Sequence, residues 1–143
     1  MPTTSTIPGQ LGLSLWQALR AAHDLKVMLI DNTWAYDPDV NRFVSEVTGE
    51  VTGTGYTAGG ATLANVTETY DAATDTTIVN ADDVVWDATG GALTGHRAVF
   101  YVDTGTPTSS PIVTAWDLGA DITATNAAWT LSIDAGGIFR LAA

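Results

Sequence analysis

The feature that most constrains this chain is its punctuation. Turn-forming clusters recur through its second half: Asp71-Ala72-Ala73-Thr74-Asp75, Asn80-Ala81-Asp82-Asp83, Gly90-Gly91, Gly105-Thr106-Pro107, Gly119-Ala120-Asp121 and Gly136-Gly137. Glycine supplies positive φ at no steric cost, and Asp and Asn side chains bond the backbone two residues on. Between the clusters lie short runs rich in Val, Ile, Thr and aromatic residues. They read as strands over residues 62–67, 76–79, 84–86, 98–102, 112–116, 129–133 and 138–141. Earlier, Lys26-Val27-Met28-Leu29-Ile30 reads as a buried strand. Short strands with regular turn signals predict a mainly β fold: one antiparallel β-sandwich, jelly-roll-like, or a barrel.

The first part of the chain differs. Residues 1–10 hold Pro2, Pro8, Gly9 and a Thr/Ser run with no charged side chain, and read as an extended arm. Residues 11–22 carry Leu15, Leu19 and Ala22 at helical spacing with Trp16 alongside, and predict a short helix. Ser14 is its expected N-cap, with Gln17 three residues on as the capping-box partner. A helix of this length is marginal alone and must dock on something. The expected division is therefore an arm and helix over 1–22 and a β-sandwich domain over 23–143. Residues 31–41 read as a polar loop and 42–47 as a short helical turn. A chain of 143 residues fits one domain, and no internal repeat is visible.

Composition excludes several function classes. There is no cysteine, which rules out disulfide scaffolds, zinc knuckles, iron–sulfur sites and thiol nucleophiles. Asp and Glu number 16 against 5 Lys and Arg, for a net charge of −11. Those few cations are scattered, whereas phosphate backbones need clustered ones, so no nucleic acid partner is expected. Anionic membrane surfaces are disfavoured for the same reason. Residues 1–6 lack the positive region of a secretory signal, so no leader is expected. No apolar run reaches the roughly 20 residues of a membrane span.

The motifs that tempt one toward chemistry fail their templates. His23 and His96 are the only histidines, and no Gly-x-Ser-x-Gly accompanies them. His23 falls at the predicted helix end, where a cation suits the dipole. Gly53-Thr54-Gly55-Tyr56-Thr57-Ala58-Gly59-Gly60 lacks the Lys-Ser/Thr ending of a phosphate loop and leads into a strand, so its glycines are expected to serve a tight connection. Asp37-Pro38-Asp39-Val40-Asn41 opens like a calcium loop, but Arg42 and Thr48 stand where such a loop needs Gly and Glu. No pair of carboxylates is fixed face to face, as glycoside hydrolysis would require. The expectation is a protein that is not an enzyme, with no cofactor and no metal.

Five tryptophans are more informative. Trp86, Trp116 and Trp129 sit in strands between aliphatics and are expected in the core. Trp16 and Trp34 lie outside the best strands. With Leu15 and Leu19 they form the expected partner-binding set: Leu15, Trp16, Leu19 and Trp34.

Taken in order, several segments resemble a family of small virion proteins from long-tailed bacteriophages. They are the short helix leading into Lys26-Val27-Met28-Leu29-Ile30-Asp31, the loop with Tyr36-Asp37-Pro38-Asp39, and the Gly53–Gly60 run. Asp82-Asp83-Val84-Val85-Trp86, Ala98-Val99-Phe100-Tyr101-Val102-Asp103-Thr104-Gly105 and Gly136-Gly137-Ile138-Phe139-Arg140-Leu141 follow. The likeness runs from about residue 11 to 141. It implies a phage structural protein, a capsid decoration (cement) protein or a small tail or fibre component, and it carries no catalytic residues. Its implied partner is the major capsid protein, in a homo-oligomer that capsid symmetry would make a trimer. Its place would be the capsid exterior of the virion, after synthesis in the host bacterial cytoplasm. The rival class is a carbohydrate-binding module at the tail tip or fibre, using tryptophans and carboxylates in a shallow groove.

Overall fold

The run Leu25-Lys26-Val27-Met28-Leu29-Ile30 is apolar on both alternations except at Lys26, and such a strand is stable only with both faces covered. In the computed structural model, which describes residues 8–142, that requirement organises the fold. Helix α1 spans Leu11–Ala22. The strands are β1 Asp24–Ile30, β2 Ala61–Thr62, β3 Thr67–Asp71, β4 Thr76–Asn80, β5 Val84–Asp87, β6 Ala92–Asp103, β7 Ile112–Thr125, β8 Ala128–Leu131 and β9 Phe139–Ala142. Among the described residues they form three antiparallel sheets, ordered β2-β1-β6-β7, β3-β4-β9 and β5-β8. The protein is mainly β and sandwich-like, with one short helix near its N-terminal end.

The central sheet is covered on both sides. Its inner face presents Leu25, Val27, Leu29, Leu93, Ala98, Phe100 and Val102 to Val79, Val84, Trp86, Trp129, Leu131 and Ile138 of the opposing strands. Its outer face presents Met28, Ile30, Val99 and Tyr101, which pack under Trp34, Tyr36, Val44 and Val47 of the following loop. Tyr56 reaches the inner core, 5.8 Å centroid to centroid from Trp86, and Trp86 meets Trp129 edge-on at 5.7 Å.

The free side of β1 is closed by the glycine-rich segment. Leu29 N–H donates to the Tyr56 hydroxyl (3.1 Å), which donates to Glu50 Oε2 (2.7 Å). The same carboxylate oxygen accepts from Gly59 N–H (2.8 Å). Gly60 has φ +82°, and a Cβ there would stand 1.8 Å from Val27 O, so only glycine lets the chain pass this close to β1. The expectation that these glycines serve a tight connection holds.

Four local expectations are corrected. Residues 62–67 do not form one strand: β2 ends at Thr62, Asn65 turns left-handed at φ 52°, and a new strand starts at Thr67. Gly119-Ala120-Asp121 is not a turn but a bulge inside β7. Gly95 pairs with Ile122 and Arg97 with Asp117, so Leu118 through Asp121 stand opposite His96 alone, with Gly119 at φ +83°. Ser14 is not the N-cap; the helix starts at Leu11 after Gln10, and Ser14 N–H already donates to Gln10 O (3.0 Å). Pro8 and Gly9 set that earlier start, because Leu11 N–H closes a turn onto Pro8 O (3.0 Å). Finally, α1 does not stand apart from the sandwich. It packs on β3, β4 and β9, and its Trp16 lies in the main core. The expected arm falls mostly on residues outside the described range.

Candidate interaction surface

Helix α1 has one side that the fold consumes and one that it leaves in water. On the consumed side, Trp16 is 5% exposed and meets Phe139 of β9 edge-on, 5.1 Å between ring centroids. Its Nε1–H donates to Glu68 Oε1 of β3 (3.1 Å), and Glu68 is also ion-paired with Arg20 one turn along the helix. Leu19 is half-buried against the same core. An indole that buries its ring and satisfies its N–H fixes a short helix that could not persist alone. Arg20 in the last turn adds a cation at the negative end of the dipole.

On the other side, Leu11 and Leu15 are 39% and 63% exposed. They are four residues apart and so share one flank. Leu141 of β9, 36% exposed, lies against the helix where a Cβ on Gly12 would be 3.5 Å from its own Cβ. Three large apolar side chains thus border the seam between α1 and β9 on a helix held rigidly from beneath.

The four expected partner-binding residues are therefore split. Leu15 is exposed as expected and Leu19 is half-buried. Trp16 is corrected: it is a core anchor within its own chain, because its ring fills the space above Phe139. Trp34 is corrected as well; it is 9% exposed, packed on the outer face of the central sheet and 6.2 Å from Tyr36. Of the three strand tryptophans, Trp86 and Trp129 are buried, while Trp116 at the β7 edge is half-buried. Sequence reasoning missed Leu11 and Leu141. Leu11 had a signal, since it precedes Leu15 by four residues; Leu141 had none, because its neighbour Gly12 is distant in sequence.

Residues with chemical potential are largely bound into the framework. His23 is the C-cap of α1. His96 sits at the β7 bulge, its Nδ1 2.7 Å from Asp121 and its Nε2 3.5 Å from Asp117. In the 37–41 loop, Asp39 N–H donates to Asp37 Oδ1 (2.9 Å) and Asp37 N–H to Asn41 Oδ1 (2.8 Å), so these side chains hold their own turn. The same Asp-to-backbone bond, onto the residue two places on, recurs at Asp31, Asp71, Asp87, Asp103, Asp117 and Asp134. Much of the acidic excess thus builds turns. These bonds lower several carboxyls below their ordinary range: Asp31 and Asp87 through the hydroxyl and N–H of Thr33 and Thr89, and Asp103 through Gly105 N–H with help from Lys26. Burial pushes the Tyr56 hydroxyl far above its ordinary value, and Glu50 pushes it the same way. No helix among the described residues is long and apolar enough to cross a membrane.

Comparison of the chain with protein-family models, with curated proteins and with solved structures finds no match.

Proposed function

We propose that this chain is a non-enzymatic structural protein of a tailed-phage virion. In this reading it is a capsid decoration protein that binds the outer surface of the major capsid protein lattice and stabilises it. The observation that carries the adhesive part of this reading is the seam of α1 and β9, where Leu11, Leu15 and Leu141 remain in water on a helix anchored by Trp16. The virion part rests on the ordered set of segments that resembles small phage structural proteins.

Physical considerations support the combination. Fully burying one such leucine contributes about 1.5–3 kcal/mol, so three at one seam give a compact anchor. Because the helix is already docked, little ordering cost is added on binding. Charge does not oppose the contact: neither α1 nor β9 carries an acidic side chain, and Arg20 is paired with Glu68 of β3. A partner surface that is apolar at its centre fits this face. Three copies around a capsid three-fold junction would repeat the contact by symmetry.

The test is the number of copies per particle, measured by quantitative mass spectrometry of purified virions. Decoration predicts on the order of hundreds of copies, matching the lattice symmetry. A count of a few per particle would place the protein in the tail instead.

A further inference from the structure

We propose that His96 is a pH-sensitive clasp, fastening both ends of the β7 bulge when protonated and only one end when neutral. Leu118 through Asp121 stand opposite His96 alone, between the Gly95–Ile122 and Arg97–Asp117 pairs. Four residues opposite one cannot all join the ladder, so side chains must hold the segment in place. This proposal does not depend on the capsid reading.

His96 reaches both ends of the bulge. Its Nδ1 lies 2.7 Å from Asp121 Oδ1, and its Nε2 lies 3.5 Å from Asp117 Oδ1. Its side chain is 17% exposed, so water replaces these contacts poorly. Each carboxylate is positioned by a second partner. Asp117 Oδ1 accepts from Gly119 N–H (2.8 Å), and Asp121 Oδ2 accepts from Asn32 Nδ2 (3.4 Å) on the loop after β1.

Donor count makes the clasp depend on charge. A neutral imidazole has one N–H, so it serves one carboxylate and turns a lone pair toward the other. The imidazolium has two N–H groups and a positive charge, and both carboxylates attract it. The charged groups around the ring are mostly negative. Asp117 and Asp121 come from β7, and Asp31 and Glu50 border the same cleft as Asp121. Arg97 of β6 is the one other cation. It is anchored on Asp31 O (3.2 Å) and meets Asp117 Oδ2 at 3.7 Å, so it offsets part of Asp117 and leaves Asp121 to His96.

The clasp has a buried reporter. Ile122, the first residue past the bulge, accepts through its carbonyl from the Trp129 indole N–H (2.9 Å), and Trp129 lies in the main core. Both contacts are made while His96 is charged and the carboxylates are ionised. One of them is lost as the pH rises through the histidine range, about 6.5 for an ordinary side chain.

The experiment is hydrogen exchange of the full chain by NMR at about pH 5.5 and about pH 8, on either side of that range, with rates corrected for intrinsic exchange. Protection of the Gly119 amide and of the Trp129 indole N–H should fall about threefold to fivefold between the two, the size of one partly exposed ion pair. His96→Gln cannot gain the charge, so its protection should be equal at both pH values and match that of wild type at the higher one. His23→Gln, at the only other histidine, should behave as wild type. Should His96→Gln fail to fold, Asp121→Asn removes one carboxylate of the clasp and should shrink the change. Equal wild-type protection at the two pH values, an undiminished change in His96→Gln or Asp121→Asn, or its loss in His23→Gln would each overturn the proposal.

Discussion

Helix α1 and the loop from Asp31 to Val47 each lay a tryptophan against the sandwich, yet they leave different surfaces behind. Trp16 joins the core on the inner face of the central sheet, and Trp34 covers the outer face. The loop spends most of its other large apolar residues on that cover: Tyr36, Val44 and Val47 pack in the same cluster, Phe43 is half-buried under the Arg42 guanidinium, and Val40 at the tip stays in water. The helix, by contrast, commits Trp16 and Leu19 and leaves Leu11 and Leu15 outside. A tryptophan outside the strands therefore does not mark a docking site by itself. What marks one is the apolar flank that remains after the tryptophan has been used.

The comparison breaks most visibly at the two indoles. Trp16→Ala removes a buried ring, the edge-on contact with Phe139 and the donor to Glu68, and should cost about 4–5 kcal/mol of unfolding free energy in urea. Trp34→Ala opens a smaller cluster at a site already partly wet and should cost nearer 3 kcal/mol. Equal losses, or a larger loss at Trp34, would mean that the helix is not the better-anchored cover.

Acid sharpens the difference more gently. The loop is held by carboxylates, Asp31 bonding Thr33 and Glu46 bonding the N–H groups of Arg42 and Phe43, whereas the backbone of α1 bonds to itself and a carboxylate, that of Glu68, enters only in its docking on β3. Asp31 and Glu46 are both held below their ordinary values in the folded chain, chiefly by these hydrogen bonds. Their contribution is complete above the unfolded values of 3.8 and 4.5, and it is lost as the pH falls through the lower folded ones. Below about pH 4 the loop should loosen first. Exchange of the Thr33 and Phe43 backbone amides, which these carboxylates hold, should then accelerate before that of the Ser14 amide in α1, which a backbone carbonyl holds; the reverse order would contradict the assignment.

Much of the fold was legible because its signals are local. The Asp and Gly clusters at 71–75, 80–83, 90–91 and 136–137 do separate strands, and the apolar run at Lys26–Ile30 could only be a covered strand. Strand β3 was not legible, because Thr67-Glu68-Thr69-Tyr70-Asp71 is polar and its partner is set by tertiary pairing. The β7 bulge was misread because Gly119 at positive φ serves a bulge as well as a turn. The candidate surface was half legible. Helical spacing singled out Leu15 and Leu19, but which flank faces inward depends on Phe139 and Glu68, more than fifty residues away (|i−j| = 52 for the Trp16–Glu68 bond).

The central claim, that the outer flank of α1 is the adhesive face, is tested most directly by one binding measurement. Leu15→Asp should change stability by less than about 0.5 kcal/mol, since the side chain touches little of its own fold. Wild-type protein and this variant are titrated onto purified capsids stripped of the native chain, and bound protein is quantified by co-sedimentation. The account predicts wild-type saturation at the lattice stoichiometry and at least a tenfold weaker association for the variant, with melting temperatures matched. Unchanged affinity of Leu15→Asp for the capsid, at unchanged stability, would contradict it.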